Sequence, residues 1–206
     1  SRCRDGAQMT GTVLTTSERM RKLFPALWLV ILVLPPTSRA AEISVHATRH
    51  GERFEVEATA EIDADVADAW KVLTDYDRLA EFIPGMKESR VVSRDGFKVV
   101  IDQRGEAGLL FFTFPISVRL AIEEFPKDRI VSNAIAGNFK ELHGVYDLEA
   151  RGARLRLRYE GTITPDFGVP PLIGTLVVRA MVARRFGAMV REIEKTRRRE
   201  AAPAGR

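Results

Sequence analysis

The sequence is poor in the residues that covalent cross-links and metal sites require. Its single cysteine is Cys3, and no cysteine occurs from residue 41 onward. This excludes a disulfide framework, a thiolate zinc site and a cysteine nucleophile from the chain after residue 40. The three histidines, His46, His50 and His143, are scattered and do not form a metal-binding motif.

Motifs for other common chemistries are also missing. The chain has no G-x-S-x-G nucleophile elbow, no H-E-x-x-H zinc motif, no P-loop and no G-x-G-x-x-G dinucleotide loop. We therefore predict neither a metal nor a cofactor.

Excess positive charge is confined to the first 40 residues. Six of the 32 basic and two of the 28 acidic residues lie there, which leaves 26 of each in the rest of the chain. The pI of about 9.4 is therefore mostly a property of this first segment. Because nucleic-acid binding needs a basic surface on the domain itself, we predict no nucleic-acid partner.

Residues 20–40 have the pattern of a secretory signal peptide. Arg21 and Lys22 precede an apolar run of 12 residues at 23–34. A signal peptide has an apolar region of about 7–15 residues, whereas a membrane-spanning helix needs about 20. We predict cleavage near Ala40 and a periplasmic or secreted protein, with an uncleaved N-terminal anchor as the alternative. Residues 1–19 are interpreted as an upstream over-read or a disordered extension.

The remaining residues have the size of one folded domain, and the 45% hydrophobic content of the full chain excludes a fully disordered protein. Period-two alternation, as in Phe54, Val56 and Ala58, predicts the first strand, and two short helices follow it. About six more strands are predicted after them, with a turn at 106–108 and a bulge or edge position at Pro115. We place the domain at 52–199, a flexible mature N-terminus at 41–51 and a disordered tail at 200–206.

One long helix is predicted at the end of the domain. Its apolar stripe recurs at spacings of three and four over the proline-free stretch 172–199 and comprises Val178, Val182, Phe186, Met189 and Ile193. An antiparallel sheet needs a cover for its apolar face, and this is the only long helix predicted. The sequence therefore predicts an α+β fold in which a curved antiparallel sheet of about seven strands surrounds the C-terminal helix.

Several local strings resemble the START-like superfamily, the polyketide cyclase/dehydrase and lipid-transport group. They are the first strand and helix at 54–73, TDYDRLAEFIPGMK at 74–87, GVYDL at 144–148 and VPPLIG at 169–174. Within the group, the coenzyme Q-binding branch is the most similar, although its known members work in mitochondria or the bacterial cytoplasm. The resemblance implies a helix-grip fold with a cavity for a hydrophobic ligand between sheet and helix, and a loop at 82–86 that gates entry. It carries over no catalytic motif.

An aromatic and methionine-rich set forms the candidate ligand-binding surface. In one interpretation these side chains line a pocket for a flat or lipid-like molecule, and in the other they fill a solid core. The set comprises Phe82, Phe112, Phe114, Tyr146, Tyr159, Met181 and Phe186.

Other candidates for chemistry are few. His143 is the one candidate for acid–base catalysis, but strand parity places it with Val145 and Asp147, opposite Tyr146. The basic helix end at Arg197, Arg198 and Arg199 is interpreted either as a contact with an anionic membrane or as a favourable interaction with the helix dipole.

These observations lead to one functional prediction and two alternatives. The prediction is an exported, non-catalytic module that holds a hydrophobic small molecule or lipid, with quinone-like molecules among the candidates. The first alternative is a polyketide cyclase/dehydrase-type enzyme that uses the same cavity, with His143 or an acidic residue as proton shuttle. The second is an envelope protein-interaction domain with a filled core.

Overall fold

Eight antiparallel strands and three α-helices make up the part of the chain that the computed structural model describes, residues 41–109, 112–169 and 173–202. The predictions for residues 1–40, including the signal peptide and its cleavage near Ala40, lie outside the described residues. The strands are β1 Glu42–His50, β2 Arg53–Ile62, β3 Met86–Asp95, β4 Lys98–Leu109, β5 Phe112–Phe125, β6 Arg129–Gly137, β7 Phe139–Arg151 and β8 Arg154–Pro165. The helices are α1 Val66–Leu73, α2 Leu79–Phe82 and α3 Gly174–Ala201, with a 3-10 turn at Tyr76–Arg78.

The strands form one sheet in the order β1-β2-β8-β7-β6-β5-β4-β3. Four strands separate β2 from β4 in this order, yet α3 packs against both. The sheet must therefore curve around α3. The predicted α+β architecture is confirmed, with eight strands instead of about seven.

Side-chain periodicity explains how sheet and helix meet. On β2 every second residue, from Phe54 to Ile62, is buried, and these residues alternate with exposed or half-buried ones. The stripe of α3 predicted from the sequence is buried along its whole length, from Val178 to Ile193. The two apolar surfaces face each other, because water is excluded most efficiently when both are covered at once.

The segment between β2 and β3 connects opposite ends of the strand order, since β2 lies next to one edge of the sheet and β3 forms the other edge. Asp65 caps α1 by accepting a hydrogen bond from the backbone N–H of Asp68 at 2.9 Å, and the Asp68 side chain accepts from the Asp65 N–H at 3.4 Å. Asp77 accepts from the backbone N–H of Val91 at 2.8 Å, which ties the 3-10 turn to β3. These carboxylates therefore have structural roles.

Two local features differ from the sequence-based expectation. Residues 42–50, expected to be flexible, form β1, which pairs with β2 from Glu42 to His50. Only Val45 is buried on this strand, so its apolar pattern is weak and backbone pairing holds it in place. Residues 106–108, expected to form a turn, are part of a strand, because β4 continues to Leu109.

Pro115 occupies an edge position, one of the two alternatives. It pairs with Glu106 of β4, whereas β6 ends at Gly137, opposite Val118. Pro115 therefore has a strand neighbour only on the β4 side. No strand pairs with it on the other side, so its missing N–H costs no ladder hydrogen bond. Asn138 replaces the absent strand by donating to the Pro115 carbonyl at 2.6 Å and accepting from the Ser117 N–H at 3.0 Å.

Candidate functional site

A cavity of about 250 Å³ lies between the sheet and α3. Strands β4 to β8 form its floor, α3 forms its roof, and the segment from Leu73 to Met86 closes one side. Apolar side chains such as Ile101, Leu120 and Val178 supply most of the lining. The side chains of the core therefore do not fill the space that the sheet and helix enclose.

Five of the seven residues in the predicted ligand-binding set line this cavity: Phe114, Tyr146, Tyr159, Met181 and Phe186. The side chain of Phe112 lies outside the described residues. Phe82 is not part of the lining and packs, half-buried, against the core. The neighbouring Leu79 and Ile83 face the cavity instead, because the single turn of α2 directs them inward.

Two tyrosines stand side by side on the cavity floor. Tyr146 of β7 and Tyr159 of β8 are register partners, and their ring centroids are 4.7 Å apart. Gly144 and Gly161, the next pair on the same face, leave room for the Tyr159 ring. A Cβ added at Gly161 would lie 2.5 Å from the hydroxyl oxygen of Tyr159. A Cβ added at Gly144 would lie 3.0 Å from Cε2 of the same tyrosine. Glycine at both positions therefore lets the ring lie against the sheet.

Both hydroxyl groups remain protonated at neutral pH. Burial raises the pKa of Tyr159 to about 12 and also raises the pKa of Tyr146 well above its usual range. Neither hydroxyl has a hydrogen-bond partner among the described residues. They are available as hydrogen-bond donors to a bound molecule and are poor proton acceptors.

Arg185 of α3 is a cavity residue that the sequence analysis missed. Its Nη2 donates to the backbone carbonyl of Glu106 at 3.3 Å, while its Nε is buried without a hydrogen-bond partner among the described residues. Burial lowers the pKa of the guanidinium from its usual range. The available signal was its spacing, four residues from both Met181 and Met189, which places a cation within the apolar stripe.

A third tyrosine at the cavity wall is already hydrogen-bonded. The Tyr76 hydroxyl donates to Glu124 Oε1 at 2.9 Å, and Arg94 Nη1 donates to both carboxylate oxygens at 3.2 and 3.1 Å. Burial, with a further contribution from Glu124, raises the pKa of Tyr76 far above its usual range. This network ties the 3-10 turn to β3 and β5 and has a structural role.

His143 lies away from the cavity. It pairs with Thr162 across the sheet, on the opposite face of β7 from Tyr146, and its Nδ1 is 2.8 Å from Asn133 Oδ1. The described residues that line the cavity include no histidine, aspartate or glutamate. The cavity therefore presents tyrosine, serine, glutamine and arginine as its polar groups, without an imidazole or a carboxylate.

The basic end of α3 takes part in ion pairs within the chain. Arg197 lies 3.4 Å from Asp65 and 3.8 Å from Asp68, and Arg198 lies 3.9 Å from Glu194. Membrane contact through these residues and Arg199 stays a prediction. Within the described part of the chain, no helix has the length and apolarity needed to cross a membrane, and no group of metal-ligating side chains is present.

Solved structures with the same arrangement of sheet and helix support the fold. The Zhui aromatase/cyclase from Streptomyces sp. R1128 is 15% identical with a TM-score of 0.62, and the match covers 74% of this chain and 98% of that one. A STAR-related lipid transfer protein from Xanthomonas axonopodis is 13% identical with a TM-score of 0.61, covering 73% and 93%. A START superfamily protein from Mycobacterium smegmatis is 14% identical with a TM-score of 0.55, covering 71% and 99%. At these identities the likeness shows the fold alone.

Sequence comparison adds the family. No curated protein matches the chain significantly. The family model described as polyketide cyclase / dehydrase and lipid transport matches residues 62–193, more than half of the chain. This range begins at the end of β2 and ends within α3, so it includes every strand and helix that lines the cavity. The chain therefore belongs to the polyketide cyclase/dehydrase and lipid transport family.

Proposed function

We propose that this chain is a non-catalytic binding module that holds a hydrophobic small molecule or lipid between the sheet and α3. The observation that carries the proposal is the cavity of about 250 Å³ with its mainly apolar lining. Small-molecule sites are typically concave, apolar and about 300–1,000 Å³ in volume, so this cavity lies just below the usual range. The volume suits a single acyl chain or a small ring system better than a lipid with two chains.

The absence of a proton-transfer group favours binding over catalysis. Cyclisation or dehydration by acid–base chemistry needs a group whose pKa lies near the working pH. The described cavity lining offers no imidazole or carboxylate, and burial raises the pKa of both Tyr146 and Tyr159. The described cavity lining therefore does not supply the proton shuttle that the cyclase/dehydrase alternative requires.

The second alternative, a protein-interaction domain with a filled core, fits the structure less well. Such a domain would pack residues such as Met181, Phe186 and Tyr159 against one another without leaving a ligand-sized space. In this chain the same residues border the cavity. An empty cavity of this size is costly for a fold, because its lining loses dispersion contacts. Occupation by a ligand removes that cost.

We also propose that the module works outside the cytoplasm. The support is the basic patch and apolar run at 21–34, followed by small residues near Ala40. Expression of the full-length chain in a bacterial host, followed by cell fractionation and N-terminal sequencing, tests this. We expect a periplasmic product that begins at Ala41. An unprocessed chain in the cytoplasm would contradict export without affecting the binding proposal.

A matched pair of variants on α3 tests the binding proposal. Val178→Phe puts a larger side chain into the cavity, whereas Leu176→Phe adds the same ring at a position that is 57% exposed. We expect the neutral fluorescent probe N-phenyl-1-naphthylamine to bind the wild type and Leu176→Phe and to lose affinity for Val178→Phe. Equal binding by all three proteins, with the fold retained, would contradict the proposal.

A further inference from the structure

We infer that the ligand of this cavity carries an anionic group, a carboxylate or phosphate, that pairs with Arg185. The inference rests on the proposed function and goes beyond it, because it specifies the chemistry of the ligand's polar end. Three observations carry it: a guanidinium without a carboxylate partner among the described residues, the other hydrogen-bond donors of the lining and the size of the cavity.

The first observation is the missing counter-charge. Arg185 borders the cavity, makes one long hydrogen bond to a backbone carbonyl and has no carboxylate partner among the described residues. Arg94, in contrast, has a carboxylate partner, since its guanidinium donates to both oxygens of the buried Glu124. Arg185 as a whole is half-buried, but its Nε is removed from water, which is costly for a group without a hydrogen-bond partner. A bound anion would supply both a hydrogen-bond acceptor and a counter-charge for Arg185.

The second observation is that the cavity lining offers hydrogen-bond donors besides Arg185. Tyr146 and Tyr159 line the same cavity as Arg185, and their hydroxyl groups have no hydrogen-bond partner among the described residues and keep their protons at neutral pH. Ser132, on the same floor, already donates to the Gly144 carbonyl at 3.1 Å. A guanidinium has five N–H donors and no acceptor, whereas carboxylate and phosphate oxygens are acceptors. The cluster of Arg185, Tyr146 and Tyr159 therefore complements an anionic group.

The third observation is the apolar remainder of a small cavity. Apart from this cluster, the lining is mainly aliphatic and aromatic, and the volume is about 250 Å³. The space accommodates one apolar chain or ring in addition to the charged group. A ligand of this class is a single-chain amphiphilic acid. A neutral quinone would leave Arg185 without a counter-charge.

The experiment compares three ligands with the same ten-carbon chain: decanoate, decyl phosphate and 1-decanol. Each is used to displace N-phenyl-1-naphthylamine from the full-length protein after bound lipid has been extracted. The variants are Arg185→Met, which keeps an unbranched apolar stem but removes the guanidinium, and Arg184→Met as the control. Arg184 is the exposed neighbour that donates to the Gly108 carbonyl at 2.6 Å and does not line the cavity. Arg185→Gln provides a second substitution if Arg185→Met does not fold.

We expect the wild type and Arg184→Met to bind at least one of the two anions about tenfold or more tightly than 1-decanol, the ratio expected for a charge-assisted hydrogen bond. Arg185→Met should lose this preference and still bind 1-decanol. A preference for only one of the two anions supports the inference and identifies the group. Equal affinity for all three ligands in the wild type, or a preference that survives in Arg185→Met, would overturn the inference and leave the proposed function intact. Failure of the probe and all three ligands to bind would overturn the proposed function itself.

Discussion

Replacement of Arg185 by methionine should stabilise the protein when the cavity is empty. The substitution removes a cavity-side cation whose buried Nε has no hydrogen-bond partner among the described residues. An unsatisfied buried polar group costs about 1–3 kcal/mol, and the lost bond to the Glu106 carbonyl contributed about 0.5–1.5 kcal/mol. The difference predicts a gain of about 1 kcal/mol in the free energy of unfolding. For a domain of this size, that gain raises the Tm by about 2–4 °C.

The assay is urea unfolding of the lipid-extracted full-length protein, followed by circular dichroism, for the wild type, Arg185→Met and Arg184→Met. We expect Arg185→Met to gain more stability than Arg184→Met, because Arg184 is exposed and donates to the Gly108 carbonyl, whereas Arg185 has a buried Nε without a partner among the described residues. Added decanoate should reverse the order of wild type and Arg185→Met. At a concentration 100 times the Kd, a ligand that binds only the folded state adds about 2.7 kcal/mol.

One result would refute this reasoning. If Arg185→Met is less stable than the wild type by more than about 1 kcal/mol in the absence of ligand, the hydrogen bond and packing of Arg185 outweigh its unpaired charge. Arg185 would then be a structural residue, and its charge would give no reason to expect an anionic group on the ligand.

Three further predictions concern the tyrosines, the cavity floor and the buried carboxylate. Burial raises the pKa values of all three tyrosines, Tyr76, Tyr146 and Tyr159. Ultraviolet titration should therefore show little tyrosinate in the native protein at about pH 11, where most tyrosines of the urea-unfolded protein are ionised. The raised pKa values of the tyrosines contribute fully to the free energy of unfolding below about pH 10, and this contribution is lost as the pH rises above that value. Ionisation of a tyrosine in the still-folded chain at about pH 10 would contradict the burial. Gly161→Ala should lower the free energy of unfolding by about 1–3 kcal/mol through its clash with Tyr159. Gly168→Ala, with no atom within 4 Å of the new Cβ, is the control, and equal losses would refute the clash. Glu124→Gln should destabilise the protein by about 2 kcal/mol, because it weakens the hydrogen bonds that Tyr76 and Arg94 donate to this carboxylate. Glu123→Gln, on the exposed face of β5, is the control and should not destabilise the protein. Thermal unfolding of the two variants checks this prediction.

The sequence predicts the parts of the fold where burial repeats along one element. Strand β2 and the stripe of α3 are examples, since each shows its buried face through spacing alone. Strand β1 was not predicted because a single buried residue, Val45, gives no period. Its position depends on pairing with β2, which is a tertiary interaction.

The candidate site was predictable only in part. Tyr146 and Tyr159 followed from strand parity, Phe186 from helical spacing and Met181 from its residue type within the aromatic and methionine-rich set. Phe82 was misplaced because α2 is one turn long, and a single turn does not reveal which side faces the core. Arg185 was missed because a charged residue within an apolar stripe is ordinarily expected to extend its head to solvent. The cavity itself depends on how side-chain volumes combine, which no linear pattern encodes.

Native mass spectrometry of the full-length protein, purified without detergent, tests the central claim most directly. The account predicts a discrete co-purifying mass, which extraction should identify as a single-chain amphiphile and which Val178→Phe should lose. The contradicting result is the bare protein mass from native preparations, together with no change in Tm on addition of fatty acids, quinones or phospholipids. In that case the cavity would not be a ligand site.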